Sequence, residues 1–347
     1  MTLTTMSETQ SADHAAQTPN YGDTRAEFQA LWSGCGIYRL DSRIKIRLTG
    51  TDRVRWLNGM VTNNIRDLAP NQGVYCFLLN AQGHIQADLY AYNMGDSLLL
   101  DTDLSQREKV LAHFDKFIIM DDVEVADVTA TTAAVGIAGP KASQVLRAAG
   151  VQAPELAALE LCTPKCDCAC NCVQCTVLRS DQAAGNSYEI WLAPDQVKPT
   201  WDALIAAGAT PVGTDALELH RISAGIPRFG LDIRERDLPQ ETAQMRSLSF
   251  TKGCYLGQEI VERIRSRGAV HRQFTAFLVE GPLPTAGTKI QLTDPADKEV
   301  GEVTTSATLP LPGGDRGVAL GYLRREATGK SLRAGPATLQ PTTPPIV

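Results

Sequence analysis

One thiol, Cys254, lies between two glycines in Lys252-Gly253-Cys254-Tyr255-Leu256-Gly257-Gln258-Glu259, and a helical pattern starts directly behind it. Ile260, Val261 and Ile264 recur as one apolar stripe, and Glu259 and Arg263 form an i,i+4 pair. Just ahead of a helix N-terminus, unpaired N–H groups and the helix dipole stabilise a thiolate, so redox or transfer chemistry is open to Cys254. The same residue also reads as a small buried hydrophobe. Two acids carry a similar double reading. Asp88 shares the polar face of a strand with Gln86, Tyr90 and Tyr92, either as a solvated carboxylate or as one aimed into a cleft. Glu189 shares a face with Trp191, which suits a flat, hydrogen-bonding heterocycle and equally suits a surface pair. Arg221, Arg228, Arg263, Arg265, Arg267 and Arg272 gather positive charge on both sides of the octapeptide. Arginine binds carboxylates through two parallel donors, while Glu259 and Glu262 could equally balance a solvated helix face.

The elements that must hold these residues follow from periodicity. Thr24 and Glu27 form a capping-box pattern ahead of Phe28, Leu31 and Trp32, so an amphipathic helix opens the ordered part. Ile44, Ile46 and Leu48 alternate as a strand. Val74 to Leu79 is apolar throughout, Asn80-Ala81-Gln82-Gly83 marks a hairpin turn, and Ile85, Ala87, Leu89 and Ala91 share the inner face of the next strand. Helices from Ser105, Gly139, Asp195 and Asp215 interrupt further strands. Mixed hairpins and helical crossovers indicate an α+β fold and not a doubly wound parallel sheet. From Arg272 onward helical periodicity gives way to short strands between Gly/Pro turns, which reads as a separate β-barrel. The expected organisation is a disordered arm over 1–23, an α+β core over 24–270, a barrel over 271–335 and a flexible tail over 336–347.

The chain has 347 residues and a net charge of −6, which suits several subdomains and argues against a nucleic-acid binder. No apolar run approaches the roughly 18 residues of a membrane span, and no charged n-region precedes an apolar one, so a cytoplasmic protein without a membrane partner is expected. Six of nine cysteines fall in Cys162, Cys166, Cys168, Cys170, Cys172 and Cys175. Only Cys172 and Cys175 have C-x2-C spacing, so a surface loop and a curled metal-binding loop are both open. The dinucleotide, P-loop, zinc-protease and serine-hydrolase motifs are absent from the sequence.

Four segments in order carry a resemblance: Asn80-x-x-Gly83-x-Ile85-x-x-Asp88; Ser187-Tyr188-Glu189-Ile190; His220-Arg221-Ile222 through Gly225-Ile226-Pro227 and Gly230-Leu231-Asp232 to Leu238-Pro239-Gln240-Glu241; and the octapeptide itself. Over about residues 30 to 330 the chain resembles the YgfZ branch of the folate-binding family that also contains the glycine-cleavage aminomethyltransferase, or T-protein. That resemblance implies a ring of α+β subdomains around a central hole binding tetrahydrofolate, with a C-terminal β-barrel. By it, Asp88 faces the reactive nitrogens of the folate and Glu189 hydrogen-bonds the pterin beside Trp191. Arg221 lies near the cofactor, Cys254 is the thiol of the YgfZ branch, and Lys252, Gln258, Glu259 and Arg263 join the cofactor site. Ser223 stands where the family often has Glu, and the cysteine-rich loop lies outside the pattern. The resemblance implies a monomeric folate-binding accessory factor for assembly or repair of iron–sulfur proteins. A folate-dependent aminomethyl or C1 transferase is the alternative, and a metal-binding cysteine loop a second one. Arg263, Arg267 and Arg272 are expected to hold the glutamate tail of the folate.

Overall fold

Alternating apolar residues build two antiparallel-rich sheets that stack face to face, each covered on its outer side by helices. The structure is a computed structural model describing residues 18–152, 155–164, 175–181, 185–268, 270–294 and 297–346. The first sheet orders its strands Gly73–Leu79, Ile85–Asn93, Leu98–Asp103, Arg43–Thr49 and Glu124–Asp127, all antiparallel. Its outer face carries Ile44, Ile46, Leu48, Ala87, Leu89 and Leu100, and packs against Trp56 and Leu57 of helix Arg53–Met60 and Val110 and Phe114 of helix Arg107–Phe117. The second sheet runs Thr210–Pro211, Gly36–Arg39, Ala133–Ala138, Ser187–Leu192, Thr176–Arg179 and Leu161–Cys162. Helices Ala142–Ala148 and Val197–Ala206 cover its outer face.

Between the sheets lies an aromatic layer, with Tyr75, Phe77, Tyr90 and Tyr92 from the first meeting Leu161, Leu178 and Trp191 from the second. Tyr92 and Trp191 meet edge to face at 5.0 Å. One expectation is corrected here. A register shift between Leu78 and Leu79 turns Ile85 away from Ala87 and Leu89, and Ile85 packs in the inter-sheet layer with Leu79 and Val261.

The C-terminal strands close a six-stranded barrel in the order Arg272–Glu280, Gly314–Arg324, Glu299–Leu311, Lys289–Leu292, Leu332–Ala334 and Ala337–Thr342. The mixed α+β fold with a terminal barrel is therefore as expected, but its last strand comes from the tail expected to be flexible. Ala337–Thr342 pairs with both Arg272–Glu280 and Leu332–Ala334, and Ile346 beyond it is buried among Phe28, Leu31 and Ile222. At the other end, residues 1–17 of the expected arm lie outside the described residues, whereas Thr18 and Pro19 are paired, their carbonyls accepting from Thr214 and Asp215. The first helix is Thr24–Ser33, capped by Asp23 and not by Thr24. Among the described residues no helix is long and apolar enough to cross a membrane.

Candidate functional site

Where the two sheets meet helix Thr214–Ser223 and the segment 226–246, a cavity of about 280 Å³ opens. Asp88, Glu189 and Arg221 all line it, so three of the residues singled out from the sequence converge. Tyr75, Tyr90 and Phe229 give it aromatic walls.

Asp88 is held on both carboxylate oxygens. Tyr75 Oη donates to Oδ2 at 2.7 Å, and Gln106 Nε2 donates to Oδ1 at 2.7 Å. Gln106 also accepts from the Asp88 backbone N–H at 2.9 Å, and Thr102 Oγ1 donates to its carbonyl at 2.7 Å. Each oxygen keeps a further lone pair for the cavity, because a carboxylate accepts about four hydrogen bonds. Burial, and then the Asp88 charge, push the Tyr75 hydroxyl well above its usual range, so it stays a donor.

Glu189 lies deeper and is 2% exposed. Its Oε2 accepts from Trp191 Nε1 at 2.9 Å and its Oε1 from Ser180 at 3.3 Å. Beside it sits an ion cluster in which Arg43 and Lys45 contact Asp101 at 2.9 and 3.0 Å. Lys45 Nζ also stands 4.4 Å from the centroid of the Trp191 ring. Burial pushes Asp101 up, but Arg43 and Lys45 outweigh it and the group ends below its usual range. Glu189 ends above its own, through burial first and the Asp101 charge second, against Lys45. The two acids therefore part: Asp101 is the ionised one, and Glu189 is biased towards its neutral form.

The remaining wall is basic and polar. Arg246 lies 4.4 Å over the Tyr75 ring and ion-pairs with Asp181, tying the first sheet to the second. Arg221 bonds Glu218 at 2.7 Å, Asp232 at 2.8 Å and the carbonyl of Ile226, so its guanidinium is engaged within the protein. Burial pushes His220 down to about 4, which keeps that cavity-lining imidazole neutral near pH 7. Ser223 is buried and donates to the His220 carbonyl at 2.7 Å.

The octapeptide stands apart from this cavity. None of Lys252, Cys254, Gln258, Glu259 or Arg263 lines it. Lys252 Nζ donates to the carbonyls of Asn58, Val61 and Asn63 at the end of helix Arg53–Met60. Gln258 accepts from the Tyr255 N–H at 3.1 Å, while Cys254, Glu259 and Arg263 are exposed. What the octapeptide holds is the hairpin turn ahead of Asp88. Gly257 has φ +83°, and a Cβ there would meet the Asn80 carbonyl at 2.5 Å; Ile260 packs against Gly83. Arg272 is likewise occupied, at 2.7 Å from Asp237 and 3.0 Å from Glu241, and the Arg267 side chain lies outside the described residues. Neither Arg263 nor Arg272 lines the cavity; the arginines that do are Arg39, Arg43, Arg221, Arg228 and Arg246. Cys166 to Cys172 also lie outside the described residues, among which no group of metal-ligating side chains occurs.

Sequence reasoning missed Arg43, Lys45, Asp101, Gln106 and Arg246. An alternating strand such as Arg43–Thr49 shows which residues face away from the apolar side, but not that a second sheet covers that face.

Fold and cavity together define a protein with an aromatic-walled, polar cavity between two sheets and beside a β-barrel. The family description "GCVT N-terminal domain" matches residues 10–252, and the chain belongs to that family. An aminomethyltransferase of Rubrobacter xylanophilus is 26% identical over 314 residues, covering 89% of this chain and 81% of the relative. That of Thermus thermophilus is 26% identical over 325 residues, covering 91% and 88%. The crystal structure of glycine cleavage system aminomethyltransferase T from Bartonella henselae superposes with a TM-score of 0.82 at 20% identity, over 93% of this chain and 89% of that one, which establishes the shared fold. Aminomethyltransferases of this family use tetrahydrofolate as substrate or cofactor, in line with the cofactor expected from the sequence. The expected iron–sulfur accessory role is overturned: these relatives are aminomethyltransferases along most of their length, and Cys254 stands outside the cavity.

Proposed function

We propose that the chain is a folate-dependent aminomethyltransferase whose substrate site is the cavity between the two sheets. The observation that carries this reading is the convergence of Asp88 and Glu189 on one aromatic-walled cavity, in a chain whose curated relatives are aminomethyltransferases. The residues fit a reduced pterin. Tyr75 and Tyr90 offer ring faces, and Glu189, biased towards neutrality, can donate one hydrogen bond and accept another from a pyrimidinone edge. Tetrahydrofolate, when bound, supplies the nitrogens that accept the one-carbon unit.

Asp88 acts as the proton acceptor and electrostatic partner at those nitrogens. Its orientation is set before any ligand enters, because Tyr75 and Gln106 hold one oxygen each. Glu189, held by Trp191 Nε1 at 2.9 Å, fixes the orientation of the ring at the closed end, while Trp191 itself lies behind the cavity wall. Arg228 and Arg39, exposed at the rim and paired with Glu218 at 3.3 Å and Asp41 at 2.7 Å, are the cations an anionic tail would share. Within the family, the octapeptide supports placing the chain on the YgfZ branch.

The test is to incubate the purified chain with an aminomethyl donor and tetrahydrofolate, and to follow methylenetetrahydrofolate. Product should form, and Asp88→Asn should lower turnover by about 10²–10⁴-fold while tetrahydrofolate affinity measured by calorimetry changes little. Absence of product under conditions where tetrahydrofolate binds would refute the transferase reading. Absence of binding would remove the site.

A further inference from the structure

A second cavity, of about 420 Å³, lies where helix Gln258–Arg267 meets the barrel. The segment Gln240–Arg246 separates it from the first: Gln240 and Met245 line the second cavity, Gln244 and Arg246 the first. Its walls are mixed, with Phe250, Ile264, Val270 and Leu323 forming an apolar part beside Gln240, Gln273, Thr275 and Thr328. Among the described residues, its charged lining side chains are all arginines, Arg265, Arg272 and Arg325, and none is Asp or Glu.

That imbalance is unexpected in a chain of net charge −6. Arg272 is neutralised by Asp237 and Glu241. Arg265 lies 4.6 Å over the Phe250 ring, and its Nη1 donates to the Phe250 carbonyl at 3.3 Å and to Glu262 at 3.4 Å, long contacts from one nitrogen that leave its other donors over. Arg325 is exposed and forms no ion pair among the described residues; its backbone N–H donates to the His271 carbonyl, which fixes the turn that carries it. Two under-used guanidinium groups therefore face a concave, partly apolar surface. A guanidinium fork favours a carboxylate, and a cavity of a few hundred Å³ with partly apolar walls favours an apolar body attached to it. The volume suits a small molecule.

We propose that this cavity is a second ligand site, distinct from the one between the sheets, and that it binds a small organic carboxylate with an apolar chain or ring. Arg265 and Arg325 hold the carboxylate, and Phe250, Ile264 and Leu323 take the apolar part. The proposal is independent of the transferase reading.

Octanoate titrated into the full chain by calorimetry tests it, with octanamide and octylammonium as neutral and cationic counterparts. One-site octanoate binding is expected, weakened about tenfold or more both in the Arg265→Gln/Arg325→Gln double variant and for octanamide, and absent for octylammonium. Both arginines are exposed, so the double variant should fold. Thr275→Trp, which fills the cavity from the barrel side, should block octanoate binding with an unchanged circular dichroism spectrum. Arg39→Gln and Arg228→Gln, in the first cavity, should leave it unchanged. No octanoate binding, equal binding of octanamide, or a loss that follows Arg39 and Arg228 in place of Arg265 and Arg325 would overturn the proposal.

Discussion

Glu189 is a carboxyl group whose surroundings disfavour its charge, and that has a consequence for stability. Burial and the Asp101 charge raise its pKa in the folded protein above the ordinary value of 4.5. Folding therefore favours the protonated acid, and the associated stabilisation is full below pH 4.5 and is lost as pH rises through the elevated folded value. Glu189→Gln removes this loss. The variant should gain stability relative to wild type as pH is raised from 4.5 towards 8, measured by urea denaturation across that range. The same substitution keeps a neutral group that donates one hydrogen bond and accepts another, as the protonated acid does, so tetrahydrofolate affinity should fall by no more than about tenfold, a neutral hydrogen bond contributing about 0.5–1.5 kcal/mol. Wild-type and variant stabilities that run parallel over the whole range would show that Lys45 and Arg43 already cancel the cost of ionising Glu189.

At the scale of elements, the hairpin bearing Asp88 rests on the octapeptide. Gly257 sits in the left-handed region with the Asn80 carbonyl against it, so a methyl group meets both a conformational and a steric barrier. Gly257→Ala should destabilise the protein by more than about 1 kcal/mol and lower turnover by displacing Asp88. Cys254→Ser, at an exposed position in the same segment, should change stability by no more than about 0.5 kcal/mol and leave turnover intact. Denaturation curves and the methylenetetrahydrofolate assay on both variants decide between a support and a reactive thiol; lost turnover in the serine variant would restore the thiol. The contrast also shows what a sequence can and cannot disclose. The helix behind the octapeptide, the Asn80–Gly83 turn and the apolar face of Arg43–Thr49 were legible because each rests on local periodicity or turn chemistry. The octapeptide itself looked chemical because thiol, glycines and charges cluster in it, whereas its task is a contact with a turn more than 170 residues earlier in the chain. Lys45 and Asp101 lie on polar faces of their strands, and only sheet stacking makes those faces interior. The strand Ala337–Thr342 was hidden by Pro and Thr content, although Ala337 and Leu339 alternate inward.

On the scale of the whole molecule, the barrel and the cavity wall are joined around one buried acid. Asp232 is fully buried and accepts from Arg221 at 2.8 Å, from the Arg228 backbone N–H at 3.0 Å, from Thr305 at 2.7 Å and from Thr304. Thr304 and Thr305 belong to the barrel strand Glu299–Leu311, while Arg221 and Arg228 line the cavity. The tail reinforces the same joint: the Ile346 N–H donates to the Ser223 carbonyl at 2.8 Å, and its side chain fills the core between helix and barrel. Ile346→Ala should therefore cost about 2–5 kcal/mol in chemical denaturation, as core truncations do. Arg221 lends itself to a sharper test, because the resemblance places it near the cofactor while the geometry makes it a strut. Arg221→Met leaves Asp232 buried without its charged partner, and breaking one side of a buried pair costs about 3–5 kcal/mol. A strut predicts that loss in denaturation, together with folate affinity that weakens only as the wall loosens and partly recovers in an Arg221→Lys variant that keeps the charge. A ligand-contacting arginine predicts the opposite order, with near-normal stability and collapsed affinity. With Glu218 and Asp232 already engaging the guanidinium, the first outcome is expected.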